Sequence, residues 1–485
     1  MPSRRLEAAS AHLFELDTPA RERLAGHVAQ ALERADATGC PVLAAVTTPI
    51  SADLDLSAAV LRALRPGDDA SCLEQPERSG HAVCGLGSAA EVLARGARRF
   101  SEAAARCRAL ARHAVADDPA ADATAPPGAG PVWLGGFAFA PEGGWAPEWA
   151  SLAPARLVLP EVALARQDGE ARMTVSALVG PEADAEEVLA RIDARVASLR
   201  PASMPLLDPD PADAPRVAGA APPEHFEAAV TRAVERIRAG EVEKVVLARA
   251  VRVHHRRPID PAPVFGALRD AFSACYCYLV ATPELAFLGA SPELLVRREG
   301  ARAQTVALAG TTRRSADPAV DAHLGERLAA SAKNREEQAI VVRRIERALA
   351  PASLWVTAAE EPVIVRVQNV QHLATPIRAQ LAVPVPVLEL AELLHPTPAV
   401  GGEPSDRAQE LIPALEGLDR GWYAGPLGWT DLAGDGELCV ALRCALLRGT
   451  VAHLYAGNGI VRDSVPAEEL AETEMKLAAM LPLLS

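Results

Sequence analysis

Val242-Glu243-Lys244-Val245-Val246-Leu247-Ala248-Arg249-Ala250-Val251-Arg252-Val253 alternates with period two, which reads as a strand with Lys244 on the same face as Val246, Ala248 and Ala250. Before it, Glu224 to Ala239 sets Phe226, Val230, Val234 and Ile237 on one helical stripe, with Pro222 and Pro223 in front and Gly240 behind. Strands follow at 278–282, 286–291, 293–298 and 302–309, then a helical stretch from Asp321 to about Leu349. Next come strands near 363–373, a helix over 387–394 and a turn-rich segment from Leu394 to Gly402. Strands Glu437 to Leu447 and Val451 to Ala456 are joined by Arg448-Gly449-Thr450, which is good hairpin chemistry. A last helix runs from about Pro466 to Met480. Meandering strands with short connections and separate helices predict an α+β fold with antiparallel sheets and peripheral helices.

Upstream of this block, residues 200–223 form a proline-rich Asp/Ala stretch that reads as an extended connector. The boundary divides the chain into an N-terminal region, 1–215, and a C-terminal region, 216–485. The first part alternates helical stretches, 19–36 and 89–115, with short apolar strands such as Pro41 to Val46. An Ala/Asp/Pro/Gly stretch, 117–130, looks disordered.

The 485 residues carry 49 Lys+Arg against 63 Asp+Glu, a net charge of −14, which argues against a nucleic-acid partner. Hydrophobic residues at 49% and charged ones at 23% are ordinary for a globular protein with a large core. No apolar run approaches the length a membrane span requires. Met1 to Glu7 has two arginines but no following apolar region, so a secretory signal is not expected and the expected compartment is the cytoplasm. The eight cysteines show no paired CxxC clusters and read as small buried thiols.

Only three of the 49 basic residues are lysines: Lys244, Lys333 and Lys476. In a chain that uses Arg nearly everywhere else, a surviving Lys is informative. It offers a compact ammonium, or, when desolvated, a neutral amine that Arg cannot provide. Lys244, among small apolar neighbours, is placed where burial favours the neutral amine.

The last helix puts Glu469, Glu472 and Lys476 on one face at spacings of three and four. An ordinary solvated face with an ion pair explains this as well as a site does. Glu337 has the same bland explanation. Carboxylates on separate helices would also suit one Mg²⁺, a hard ion that takes oxygen ligands. Gly457-Asn458-Gly459 reads as a turn able to expose N–H groups to an anion. Arg443, among apolar strand residues, needs a counter-charge. Glu293 opens a strand after Ser291-Pro292, where an exposed edge glutamate is the plain alternative.

Taken in order, eight segments resemble the chorismate-utilising enzymes: Glu243 to Arg249, Gly289-Ala290-Ser291-Pro292-Glu293, Leu308-Ala309-Gly310-Thr311, Gln371-His372-Leu373-Ala374-Thr375, Leu394 to Val400, Trp422 to Trp429, Ala441 to Ala445 and Glu472 to Lys476. The match covers 224–481; by position and size alone residues 1–215 resemble the family's variable N-terminal region, packed into the same fold, and 216–485 its chorismate-binding catalytic domain. The resemblance implies a large fold like that of anthranilate synthase component I, and chorismate as the substrate. Aminodeoxychorismate-forming members carry a nucleophilic Lys where this chain has Ala309. Lys244 stands where isochorismate and salicylate synthases place theirs, so water is the implied nucleophile. His372-Leu373-Ala374-Thr375 is more like the isochorismate synthases.

The roles implied by the resemblance are Lys244 as general base and Glu293 as general acid. Mg²⁺ is implied on Glu337 and Glu472, with Glu469 one turn away. Thr311, His372, Tyr423, Arg443, Gly457, Gly459 and Lys476 are implied in substrate binding. Gln338 and Asn458 depart from the family, which often has His and Ala there. No obligate amidotransferase is expected, and the chain is expected to be a monomer or weak dimer. The alternatives are a salicylate synthase, an ammonia-using subunit of a glutamine-dependent synthase, and a catalytically silent chorismate-binding homologue.

Overall fold

The computed structural model describes residues 13–208, 215–367 and 370–484, and of Ala120 and Lys333 only the backbone. The reading of Met1 to Glu7 and any role for the Lys333 side chain lie outside what is described.

Two large sheets form the molecule, thirteen-stranded and ten-stranded among the described residues. Their pairings are antiparallel apart from Val42–Ile50 beside Val115–Ala116. The first sheet runs from Arg216–Gly219 through Lys244–His254, Val451–Ile460, Cys444–Arg448, Ala286–Ser291 and Tyr276–Ala281. It then continues into Ala70–Gln75 and the other N-terminal strands, with Leu279 opposite Cys72. In the second sheet Val370–Leu381, Arg302–Arg313, Leu294–Glu299, Gly436–Val440 and Pro426–Asp431 lead into Val132–Phe137. Both sheets therefore draw strands from either side of the proline-rich connector.

Period-two alternation distributes the core. Tyr278 and Phe287 join Trp133, Phe137, Trp422 and Leu438 in one cluster, while their neighbours Leu279 and Leu288 join Val28, Val46 and Phe265 in another. Helices Thr18–Thr38 and Pro261–Ala271 supply Val28 and Phe265 to that second cluster.

Several elements differ from the sequence reading, each for a local reason. Residues 89–115 divide into strand Ala90–Ala94 and helix Arg99–Ala111, because pairing with Ala155–Leu159 outweighs the helical propensity of Ala and Glu. The stretch 117–130 is packed: Asp122 pairs with Arg172 at 2.8 Å, and the Gly130 N–H donates to Thr174 at 3.0 Å. The helix expected from Asp321 to Leu349 breaks into Pro318–Ala330 and Ala332–Leu349. At the break Ser331 is extended and caps the second helix, accepting from the Asn334 N–H.

The strand expected over 437–447 is also two strands, and they lie in different sheets, Gly436–Val440 in the second and Cys444–Arg448 in the first. Arg443 stands at this crossing with a φ of 46°. A second crossing joins Ala286–Ser291 of the first sheet to Leu294–Glu299 of the second, through Pro292, which has no N–H to continue a ladder. Glu293 sits there. The crossings are neighbours, since Ala290 N–H donates to Arg443 O and Val440 N–H to Glu293 O. The chain thus delivers a carboxyl and a guanidinium to the same seam between the sheets.

Candidate active site

A cavity of about 280 Å³ opens at this seam. All twelve residues singled out from the sequence line it: Lys244, Glu293, Thr311, Glu337, His372, Tyr423, Arg443, Gly457, Gly459, Glu469, Glu472 and Lys476.

Lys244 begins strand Lys244–His254, and its side chain is 1% exposed. Its surroundings are not the purely apolar ones the strand pattern suggested, because Nζ donates to Glu337 Oε1 at 2.7 Å. Gly459, opposite Val246, leaves the room for this pair. A Cβ there would lie 2.6 Å from Lys244 Cε and 3.0 Å from Glu337 Oε1. Gly457, Asn458 and Gly459 belong to strand Val451–Ile460, so the expected exposed turn does not form. Pairing with Val246 to Ala248 extends the strand through them, and the glycines provide space.

Glu293 is buried at 4% exposure, not an edge glutamate. Burial pushes its carboxyl up to about 7, against the pull of Lys244, the Thr397 hydroxyl and Arg443. Arg443 has no carboxylate partner within ion-pair distance among the described residues, so the expected counter-charge is not supplied by an adjoining acid. Instead its Nη2 donates to His372 Nε2 at 2.7 Å, and its buried Nη1 has no partner. Burial also lowers the guanidinium's pKa, a sign of a cation held ready for an anion.

That contact fixes the histidine. A guanidinium can only donate, so Nε2 accepts and Nδ1 carries the proton, facing Thr311 Oγ1 at 3.1 Å and Gly310 O at 3.3 Å. Burial, then Arg443 and Lys476, hold His372 well below its ordinary value of 6.5, hence neutral. A bulge at Gly310, with φ at +70°, shifts the register so that Thr311 pairs with His372.

The polar face of helix Pro466–Leu477 is part of the site and not simply solvated. Lys476 Nζ forms an ion pair with Glu472 Oε1 at 2.9 Å, while Glu469 is only 6% exposed and accepts from Asn458 Nδ2 at 3.2 Å. Glu337, Glu469 and Glu472 offer the hard oxygen donors that Mg²⁺ takes, and two are now held by lysines that a cation would displace. Among the described residues no three acids, histidines or cysteines gather closely enough to hold a metal by themselves. The donor chemistry fits an ion completed by substrate and water, not a closed cage.

Some lining residues escaped the sequence reading. Tyr455 lies two positions before Gly457 and stacks on Tyr423 with ring centroids 5.3 Å apart. Strand alternation from the two glycines would have found it. Asn334 lies one turn before Glu337 on the same helix. Thr397, whose hydroxyl faces Glu293, lies in the quoted segment Leu394 to Val400 but was given no role there.

A family model described as chorismate binding enzyme matches residues 30–485. The chain belongs to the chorismate binding enzymes. This chorismate binding enzyme is 39% identical over 469 residues to the salicylate biosynthesis isochorismate synthase of Pseudomonas aeruginosa, covering 95% of this chain and 94% of that one. It is similar to the solved structure of MenF, the menaquinone-specific isochorismate synthase of Escherichia coli, with a TM-score of 0.76 and 28% identity over 96% of this chain and 99% of that one. Anthranilate synthase component I of Streptococcus pneumoniae shares the fold, with a TM-score of 0.58 at 21% identity over 72% of this chain and 80% of that one. The fold and family implied by the eight segments are both borne out. Among the described residues no helix of this chorismate binding enzyme is long and apolar enough to cross a membrane.

Proposed function

We propose that the protein is an isochorismate synthase that interconverts chorismate and isochorismate by adding water at ring C2 and expelling the C4 hydroxyl. The observation that carries this reading is that Lys244 and Glu293 line one cavity, with burial pushing the Glu293 carboxyl up to about 7. Lys244 acts as the neutral amine, which can still donate one N–H to Glu337, and takes a proton from the attacking water. Glu293 gives its proton to the departing hydroxyl, which leaves as water because hydroxide is too poor a leaving group. One water enters and one departs, leaving Lys244 protonated and Glu293 ionised; in the reverse direction Glu293 is the base and Lys244 the acid, and after a forward turnover the two protons are exchanged with solvent.

Arg443, with its unpartnered Nη1, and Tyr423 receive the enolpyruvyl carboxylate, and neutral His372 keeps the guanidinium in place. Glu337, Glu472 and Glu469 would hold Mg²⁺, which would neutralise the ring carboxylate against this acidic protein. Ala309 lines the cavity and offers no amine to the substrate, which supports water as the nucleophile.

Substitution and isotope labelling test the roles. Lys244→Ala is expected to lower turnover by about 10² to 10⁴ in a variant that still folds, with a lower melting temperature from the lost Glu337 pair. In heavy-oxygen water the label should appear at C2 of isochorismate. Near-normal rates in the variant, or no label at C2, would refute the assignment.

A further inference from the structure

Asn458 stands between Gly457 and Gly459, where the family resemblance leads one to expect Ala, and it is 1% exposed. Its Nδ2 donates to Glu469 O at 2.6 Å and to Glu469 Oε2 at 3.2 Å, and its Oδ1 accepts from Lys476 Nζ at 2.8 Å. The amide cannot be reversed, because an ammonium only donates and the Glu469 oxygens only accept. One side chain thereby ties strand Val451–Ile460 to both an acid and a base of helix Pro466–Leu477.

The ammonium donates to two fixed acceptors, Gly457 O at 2.8 Å and Asn458 Oδ1 at 2.8 Å, and its third neighbour is Glu472 Oε1, an ion-pair partner at 2.9 Å. The first two acceptors belong to the strand. The third is a partly exposed side chain lining the cavity, free to swing on its own stem. Two fixed acceptors set the rotation of the ammonium, so its third N–H is held on the cavity side. With the Asn458 oxygen gone, a compact charge on a flexible four-carbon stem has only one fixed acceptor and can turn away.

We propose that Asn458 is a positioning residue that orients the Lys476 ammonium so its third N–H is presented to a carboxylate of the substrate, which replaces Glu472 as the ion-pair partner. This rests on the isochorismate synthase reading. When the substrate's carboxylate displaces Glu472, the N–H on the cavity side already points at the incoming anion. An Ala at this position would leave that direction unset.

The test compares wild type, Asn458→Ala and the isosteric Asn458→Asp. Chorismate affinity is measured by calorimetry without added metal, and KM and kcat are measured with Mg²⁺. In Asn458→Ala the dissociation constant and KM should rise about tenfold, the effect of losing one hydrogen bond to a charged group, with kcat within about threefold. Asn458→Asp keeps the volume, so it reports even where the Ala variant fails to fold. Its carboxylate would repel Glu469 and hold Lys476 back, weakening binding at least as much. Against a Lys476→Ala background the Asn458→Ala change should have almost no further effect on KM, whereas a packing role would add in full. Unchanged KM and affinity in both variants, or full additivity with Lys476→Ala, would overturn the proposal. A wild type that binds chorismate without converting it would refute the reaction and leave the binding comparison to decide the role of Asn458.

Discussion

Glu293→Gln should give a protein that is inactive and, in alkaline buffer, more stable than the wild type. Burial raises the Glu293 carboxyl from its ordinary 4.5 to about 7, outweighing the Lys244 and Arg443 charges that favour the anion. The folded state therefore holds a proton that the unfolded chain releases between those two values. Stability contributed by this group is complete below about 4.5 and falls as pH rises through about 7. At about 1.4 kcal/mol per pH unit, the displacement corresponds to about 3 kcal/mol of stability lost by the wild type across that window. Glutamine has nearly the same shape and does not titrate, so the variant escapes the loss. Denaturant unfolding of both proteins at about pH 5 and about pH 8.5 measures it, since groups common to the two cancel in the difference. The variant should gain about 2.5 kcal/mol relative to the wild type between those conditions, because part of the loss has already occurred at about pH 5. A difference that does not change with pH would refute the argument that Glu293 is held protonated by desolvation. A variant that keeps turnover would refute its use as the acid.

Two further substitutions probe the geometry. Gly459→Ala puts a Cβ 2.6 Å from Lys244 Cε and 3.0 Å from Glu337 Oε1. Displacing the base by such an amount should lower kcat about a hundredfold with much less effect on melting, as steady-state kinetics on the purified variant would show. His372→Leu removes the acceptor for Arg443 Nη2 and leaves a buried charge short of a partner. KM for chorismate should rise roughly tenfold to a hundredfold, in line with about 1.5–3 kcal/mol for a hydrogen bond to a charged group. An unchanged KM would mean that His372 does not hold the guanidinium.

The sequence was most legible where a periodic pattern or a single residue type bore the meaning. The helix over 224–239 and the Lys244 strand follow from spacing alone, and the scarcity of lysine pointed to Lys244 and Lys476, both of which line the cavity. What could not be read was how the chain changes sheets. The apolar run from Glu437 to Leu447 looks like one strand because both of its halves are buried, and only the positive φ at Arg443 reveals the break. For the same reason Glu293 looked like an edge residue, when Pro292 in fact ends one ladder and lets the next begin in the other sheet. Ion pairs between distant segments were equally hidden: Lys244 and Glu337 meet across 93 positions, and no local pattern encodes that distance.

The most direct measurement is to incubate the purified protein with chorismate and Mg²⁺, without ammonia, and to separate the products with and without chelator. The account predicts isochorismate approaching equilibrium with chorismate, starting from either compound, and lost when the metal is removed. Salicylate with pyruvate, or no product until ammonia is supplied, would contradict it.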